Sequence, residues 1–207
     1  MKRLAVFIFI VLASCSDRKA DGNNKLIVNN RSIKGTTYYF LLDKKGDTVL
    51  KLDPKKYFVC FSDTVENFLV VAPQNRKGWW AIDLKENFLF QVYNTNPGEP
   101  SPDELIDGKI RIIDKEKRIG YANEKGEIII KPQFEFATEF SNGKAIIGQG
   151  CKKVPWEKHQ DGVDDHYSIV CDKYGYINEQ GQIMDLGNFT YEEIAKKINF
   201  VSQLSLP

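Results

Sequence analysis

Apolar and β-branched runs of four to seven residues recur along this chain, each bounded by a short polar turn, and no long 3.6-residue periodicity appears until near the C-terminus. The pattern is sharpest around four five-residue turns, "DKKGD" from Asp43, "DLKEN" from Asp83, "NEKGE" from Asn123 and "NEQGQ" from Asn178. Their first residues lie 40, 40 and 55 positions apart. "YFLL", "WWAI", "IGYA" and "YGYI" precede the turns, and "TVLKL", "FLFQV", "IIIKP" and "IMDLG" follow them. Apolar strands on both sides of a polar turn predict a hairpin, and an Asp or Asn at the first position can bond its own backbone. Gly46, Gly126 and Gly181 suit the positive φ of a type I turn closed by a G1 bulge, whereas Glu86 predicts a differently built second hairpin. A second landmark, Asn or Asp ahead of a short apolar strand, recurs at 66–72, 107–113 and 142–148. Four strand-like stretches fill the first unit: "TYYFLLD", "DTVLKLD", "KYFVCFS" and "NFLVVAP".

The stretch Ile119 to Ile147 resembles one unit of the bacterial WG-repeat proteins. Gly120, Tyr121, Gly126, Pro132, Phe134, Ala137, Phe140, Ser141, Gly143 and Ala145 follow that pattern, with Ile119 in place of the namesake tryptophan. A further unit starts at Tyr174, and the copies near Tyr39 and Trp79 are degenerate, with Trp80 where glycine is expected. The resemblance implies a fold rather than a chemistry. The expected architecture is all-β: antiparallel hairpin repeats of about 40 residues in a curved array or a propeller-like assembly. A short C-terminal helix over about 190–204 is expected to cap the last repeat. Thr190 and Glu193 form its capping box, and Ile194, Ile198, Val201 and Leu204 share one face.

The N-terminus changes where this domain is expected to reside. Lys2 and Arg3 precede an apolar run from Leu4 to Ala13, too short for a bilayer span and suited to an export signal. "LASC" from Leu12 to Cys15 resembles the lipobox of bacterial lipoproteins, which implies a signal peptide over residues 1–14 and acylation of Cys15. Residues 15–25 then read as lipidated terminus and flexible tether, and 26–207 as the repeat domain. Ten tether residues reach at most about 33 to 36 Å. The expected localisation is the bacterial cell envelope, anchored to membrane and facing the periplasm or the exterior. Removing Lys2 and Arg3 from 29 Lys+Arg leaves 27 against 28 Asp+Glu, which gives no electrostatic reason to expect nucleic acid.

Candidate chemistry gathers where the spacing breaks. The 15 extra residues between Asn123 and Asn178 fall in "CKKVPWEKHQDGVDDHYSIVC", Cys151 to Cys171, read as an insertion loop. It holds both histidines, and Trp156, His159, Asp164 and His166 are the candidate binding residues. Cys151 and Cys171 suit a disulfide in an exported chain; a reduced loop and a metal site built from two Cys and two His are the alternatives. Cys60 reads as a buried apolar residue on a strand. Trp79 and Trp80 read as core aromatics, and "NTNPGEPSPDE", 94–104, as an exposed proline-rich loop. No nucleophile elbow, P-loop, dinucleotide fingerprint or C-x-x-C motif occurs. The sequence thus predicts a non-enzymatic, membrane-anchored protein-binding or scaffold module with no catalytic residue, cofactor or metal. Its partners are membrane lipid, through Cys15, and another envelope protein; the alternative is an envelope glycan-binding or glycan-cleaving protein.

Overall fold

The computed structural model describes residues 25–96, 101–155 and 167–203. Along the described chain run β1 (Leu26–Ile33), β2 (Thr36–Leu42), β3 (Thr48–Lys51), β4 (Tyr57–Cys60), β5 (Thr64–Val65), β6 (Phe68–Pro73), β7 (Trp79–Asp83) and β8 (Phe88–Val92). They are followed by β9 (Lys109–Ile113), β10 (Ile119–Asn123), β11 (Ile128–Phe134), β12 (Phe136–Ala137), β13 (Lys144–Pro155), β14 (Tyr167–Asn178), β15 (Ile183–Gly187) and the single helix α1 (Tyr191–Ile198). The strands form three antiparallel sheets, in the orders β3-β2-β1-β5, β11-β10-β9-β8-β7-β6-β4 and β12-β13-β14-β15. Only two residue pairs, Gln91 with Ile113 and Val92 with Ile112, join β8 to β9. The middle sheet is therefore narrowest at that seam, between a four-stranded leaf, β8-β7-β6-β4, and a three-stranded one, β11-β10-β9, and the chain reads as four hairpin layers in series.

Each turn-to-turn unit contributes a strand on either side of its turn, as the pattern predicts. The sheets are cut elsewhere, however: β2 and β3 belong to the first sheet, while β4 and β6 pair with each other in the second. The cause is the turn at Asp53, whose carbonyl accepts from the amides of Lys56 and Tyr57 and redirects the chain between β3 and β4.

All four five-residue turns share one geometry. Asn123 Oδ1 accepts from the amides of Lys125 and Glu127 at 3.0 and 2.9 Å, and Asp43, Asp83 and Asn178 do the same in their own turns. Glu86 corrects the sequence reading: it occupies the glycine position with φ 62°, and its amide bonds Asp83 O at 3.0 Å as Gly126 bonds Asn123 O. Two side-chain bonds at the first position offset the strain of a left-handed residue at the fourth, which is about 1–2 kcal/mol. A fifth copy, unnoticed in the sequence, closes β9 to β10 at Asp114–Arg118, with Lys117 at φ 64°.

Gly120, three residues ahead of its turn, permits a close backbone approach. A Cβ there would lie 2.4 Å from the carbonyl oxygen of Ile130, and one at Gly175 would lie 1.9 Å from that of Asp185. Phe40 and Trp80 occupy the equivalent positions of the first two units, paired with Lys51 and Gln91.

Three apolar cores lie between successive layers and a fourth lies under the helix. Leu41, Leu52, Leu69, Val71 and Ile82 fill the first interface, and Phe68, Val70, Ala81, Phe90, Ile110 and Ile112 the second. Ile119, Tyr121, Phe140, Ala145 and Ile177 fill the third. The last layer is covered by α1, whose Ile194 and Ile198 pack on Ile146 and Tyr174, so the helix does cap the final repeat. Its capping box is present, with Glu193 N–H to Thr190 Oγ1 at 3.1 Å and Thr190 N–H to Glu193 Oε2 at 2.8 Å. The helix is shorter than predicted. Asn199 takes the left-handed conformation, and the Phe200 amide reaches back to Ala195 O at 2.8 Å, a Schellman closure that leaves Val201 exposed beyond the helix. Cys60 is free and buried, and burial raises its thiol pKa.

The proline-rich stretch is also less exposed than its composition suggests. Pro102 and Asp103 are buried, and Asp103, 1% exposed, holds Arg111 through Oδ2 to Nε at 3.0 Å and Oδ1 to Nη2 at 2.6 Å. Burial opposes the guanidinium charge, but Asp103 more than offsets it and the Arg111 pKa lies above its ordinary value. The Arg111 amide and the Ala137 carbonyl complete the cluster. A segment that composition marks as a loop is thereby bolted to β9.

Candidate functional site

The 15 extra residues do not form a loop over the whole of 151–171. Within that stretch, residues 151–155 and 167–171 extend β13 and β14, which are 12 residues each and paired from Lys144 with Asn178 out to Pro155 with Tyr167. β12 pairs with β13 only up to Gly148, and β15 with β14 only at positions 174–177, so the outer part is a two-stranded ribbon continuing beyond the four-stranded sheet. An isolated two-stranded ribbon is marginal in water. Here Cys151 and Cys171 stand directly opposite each other and are joined by a disulfide. Closing about 20 residues this way stabilises by roughly 3 kcal/mol on the chain-entropy view. The bond occupies both sulfurs, so the alternative of a two-Cys, two-His metal site has no thiolate to use.

Two contacts brace the base of the ribbon. Glu135 Oε2 accepts from the Cys151 amide at 2.8 Å, and its Oε1 pairs with Arg118 at 3.1 Å. The Cys151 amide first, and Arg118 second, hold the Glu135 carboxyl below the usual carboxylate range. On the other side, the Tyr174 hydroxyl accepts from the Cys171 amide at 3.0 Å. Gly148 leaves room for the staple, since a Cβ there would come within 2.3 Å of Cys171 Sγ.

Between the ribbon's base and α1 lies an open cleft of about 690 Å³, lined among others by Phe136, Tyr174, Phe189 and Tyr191, with Asp172 and Glu192 among its polar groups. Phe136, Tyr174 and Tyr191 meet edge to face, with centroids 6.0 to 6.3 Å apart, and Phe200 supports Tyr191 from behind at 6.5 Å. Burial raises the Tyr191 pKa, so its hydroxyl is neutral in ordinary buffers. The arrangement is a rigid aromatic surface with carboxylates beside it. It suits binding, by stacking and hydrogen bonding, more readily than proton transfer.

Of the site residues drawn from the sequence, Cys151 and Cys171 come together as the staple. Trp156, His159, Asp164 and His166 lie outside the described residues, as does Cys15. Trp79 is buried at 7% exposure, as expected of a core aromatic. Trp80 is only half-buried: Arg76 lies over its ring at 4.8 Å and Phe88 meets it edge-on at 5.6 Å. Sequence reasoning missed the cleft because Phe136, Tyr174 and Tyr191 come from three separate elements. The only available signal was an aromatic density near the C-terminus with no partner assigned to it.

The fold and this site define a class: a serial stack of antiparallel β-hairpin repeats, closed at one end by a helix and interrupted once by a stapled ribbon. Within it, residues 119–150 match the family described as WG containing repeat, so this chain carries a WG repeat. Among solved structures, the chain is similar to the crystal structure of BamB from Moraxella catarrhalis, with 12% identity and a TM-score of 0.32. That similarity covers 80% of this chain and 48% of the other, so this chain spans about half its length. No curated protein matches the sequence.

Proposed function

We propose that this protein is a non-enzymatic, lipid-anchored component of the bacterial cell envelope that binds another envelope protein through its stapled ribbon. The observation that carries the reading is the disulfide between facing Cys151 and Cys171, which stiffens an extension the repeat stack does not itself need. Disulfides persist in oxidising, exported environments, in keeping with the export signal and lipobox-like "LASC". Trp156, His159, Asp164 and His166, at the ribbon's far end in sequence, are the proposed contacts. Residues 156–166 can be replaced by an Asn-Gly turn and cross-linked partners compared with those of the full chain. Loss of a specific partner is the expected result; an unchanged set would remove the ribbon from consideration.

A second reading is favoured by the aromatic cleft, which could hold a sugar ring on the partly buried Tyr191 and make the protein an envelope glycan binder. Titration with peptidoglycan fragments separates the two. Saturable binding abolished by Tyr191→Ala would favour the cleft, and no binding would favour the ribbon.

A further inference from the structure

The stack has two ends, and only one is covered. The last layer lies under α1, whereas the outer face of β1–β3 meets no other element among the described residues. The pairings Asn29 with Phe40, Arg31 with Tyr38 and Phe40 with Lys51 put these residues on one side, while Leu26, Tyr39, Leu41 and Leu50 face the core. Ile27, Ile33 and Val49 on this outer side are all more than half exposed, an unusual concentration for a sheet face in water.

Its charge has one sign. The strands β1, β2 and β3 contain no Asp or Glu, and their two cations, Arg31 and Lys51, both point outward. Lys51 Nζ stands 4.8 Å from the centroid of Tyr38 and 5.6 Å from that of Phe40. The carboxylates next to these strands lie in turns and at the edge: Asp43 and Asp47 share their turn with Lys44 and Lys45, and Asp43 is engaged by the amides of Lys45 and Asp47; Asp53, two residues past Lys51, accepts from the Lys55 amide; Asp63 and Glu66 flank β5 beyond the β1 edge.

We propose that this face lies on an anionic phospholipid bilayer. It rests on the lipid anchor proposed above: the ten-residue tether from Cys15 ends at Lys25, where β1 begins, so the open end of the stack is the end held within about 36 Å of the membrane. Aromatic rings beside cations suit the headgroup level, where rings occupy the interface and each cation attracts lipid phosphate. A second copy is a poorer occupant, because face-to-face pairing would oppose Arg31 and Lys51 to their own counterparts.

The test uses lipidated protein purified from membranes and reconstituted in vesicles of phosphatidylcholine, with or without phosphatidylglycerol. A bimane probe is placed at Val49→Cys, with Ile183→Cys on β15 as control. Cys60 is buried and the other two described cysteines are bonded, so the introduced thiol is the reactive one. Quenching by lipid-borne nitroxide at position 49 but not 183, in phosphatidylglycerol vesicles and reversed by salt, is the expected result. Replacing Arg31 and Lys51 by Gln should lower the docked-to-undocked ratio about 25-fold, at about fivefold per cation. Equal quenching at both positions, or at neither, overturns the proposal. So does a blue shift at 49 that follows protein density regardless of lipid, which would assign the face to a second copy. Protein that fails to float with vesicles lacks the anchor and takes this proposal with it. Protein that floats without quenching leaves the anchor standing and refutes the docking alone.

Discussion

Asp103 and Arg111 show how much one buried ion pair can do in a protein built from repeated hairpins. A carboxylate 1% exposed is tolerable only because both oxygens are engaged by the guanidinium and Oδ2 also accepts the Arg111 amide at 2.7 Å. Replacing Asp103 by Ala leaves a buried, unpaired cation, and breaking such a pair typically costs about 3–5 kcal/mol. Chemical denaturation of Asp103→Ala should show a loss of that size, whereas Asp47→Ala on the surface should shift the midpoint little. The bond also ties residues 101–103 to β9, so limited proteolysis near Ser101 should become faster in the same variant.

At the scale of single elements, the ribbon depends on its brace at Glu135. The folded-state pKa of this carboxyl is depressed, so its contribution is present above its unfolded value, near the ordinary 4.3, and is lost as pH falls through the lower folded value. Glu135→Gln should therefore be less stable than the parent by about 1 kcal/mol at pH 7, an amount discounted for partial exposure, and the difference should close in acid. Thermal melts of both proteins across pH 2 to 7 would measure it, and a constant difference would exclude the mechanism. The elements also show what was legible in the chain. The turns at Asp43, Asn123 and Asn178 could be read because an Asx side chain and a glycine mark both ends of the motif. Glu86 and Lys117 could not, since a non-glycine residue takes the left-handed fourth position in turns held by Asp83 and Asp114, which removes half the signal. Cys151 and Cys171 disclosed the staple but not the strands beside it, because strand pairing in a solvent-exposed ribbon imposes no apolar alternation.

For the whole molecule, stability passes from layer to layer, as in other repeat arrays. Links between neighbours occur at turns as well as in cores: Asn67 Nδ2 donates to Glu124 O at 2.9 Å, and Lys109 pairs with Glu179 at 2.9 Å, in equivalent places one unit apart. Removing the cap should therefore damage the nearest layer most. Ile194→Ala opens a cavity under a fully buried side chain and should cost about 2–5 kcal/mol. Hydrogen exchange should rise in β13–β15 before β1–β3; a uniform rise throughout would mean that the four layers unfold as one unit.

The helix also sets an order of events during synthesis. Each sheet finds its partner in the one made just before it, but Ile146 and Tyr174 wait for Ile194 and Ile198, which emerge last among the described core residues. Chains not yet extended through Ile198 would carry a bare apolar layer for proteases to recognise, while those extended past it hide that layer. The short helix thus works as a seal on the last layer, without needing a dedicated signal.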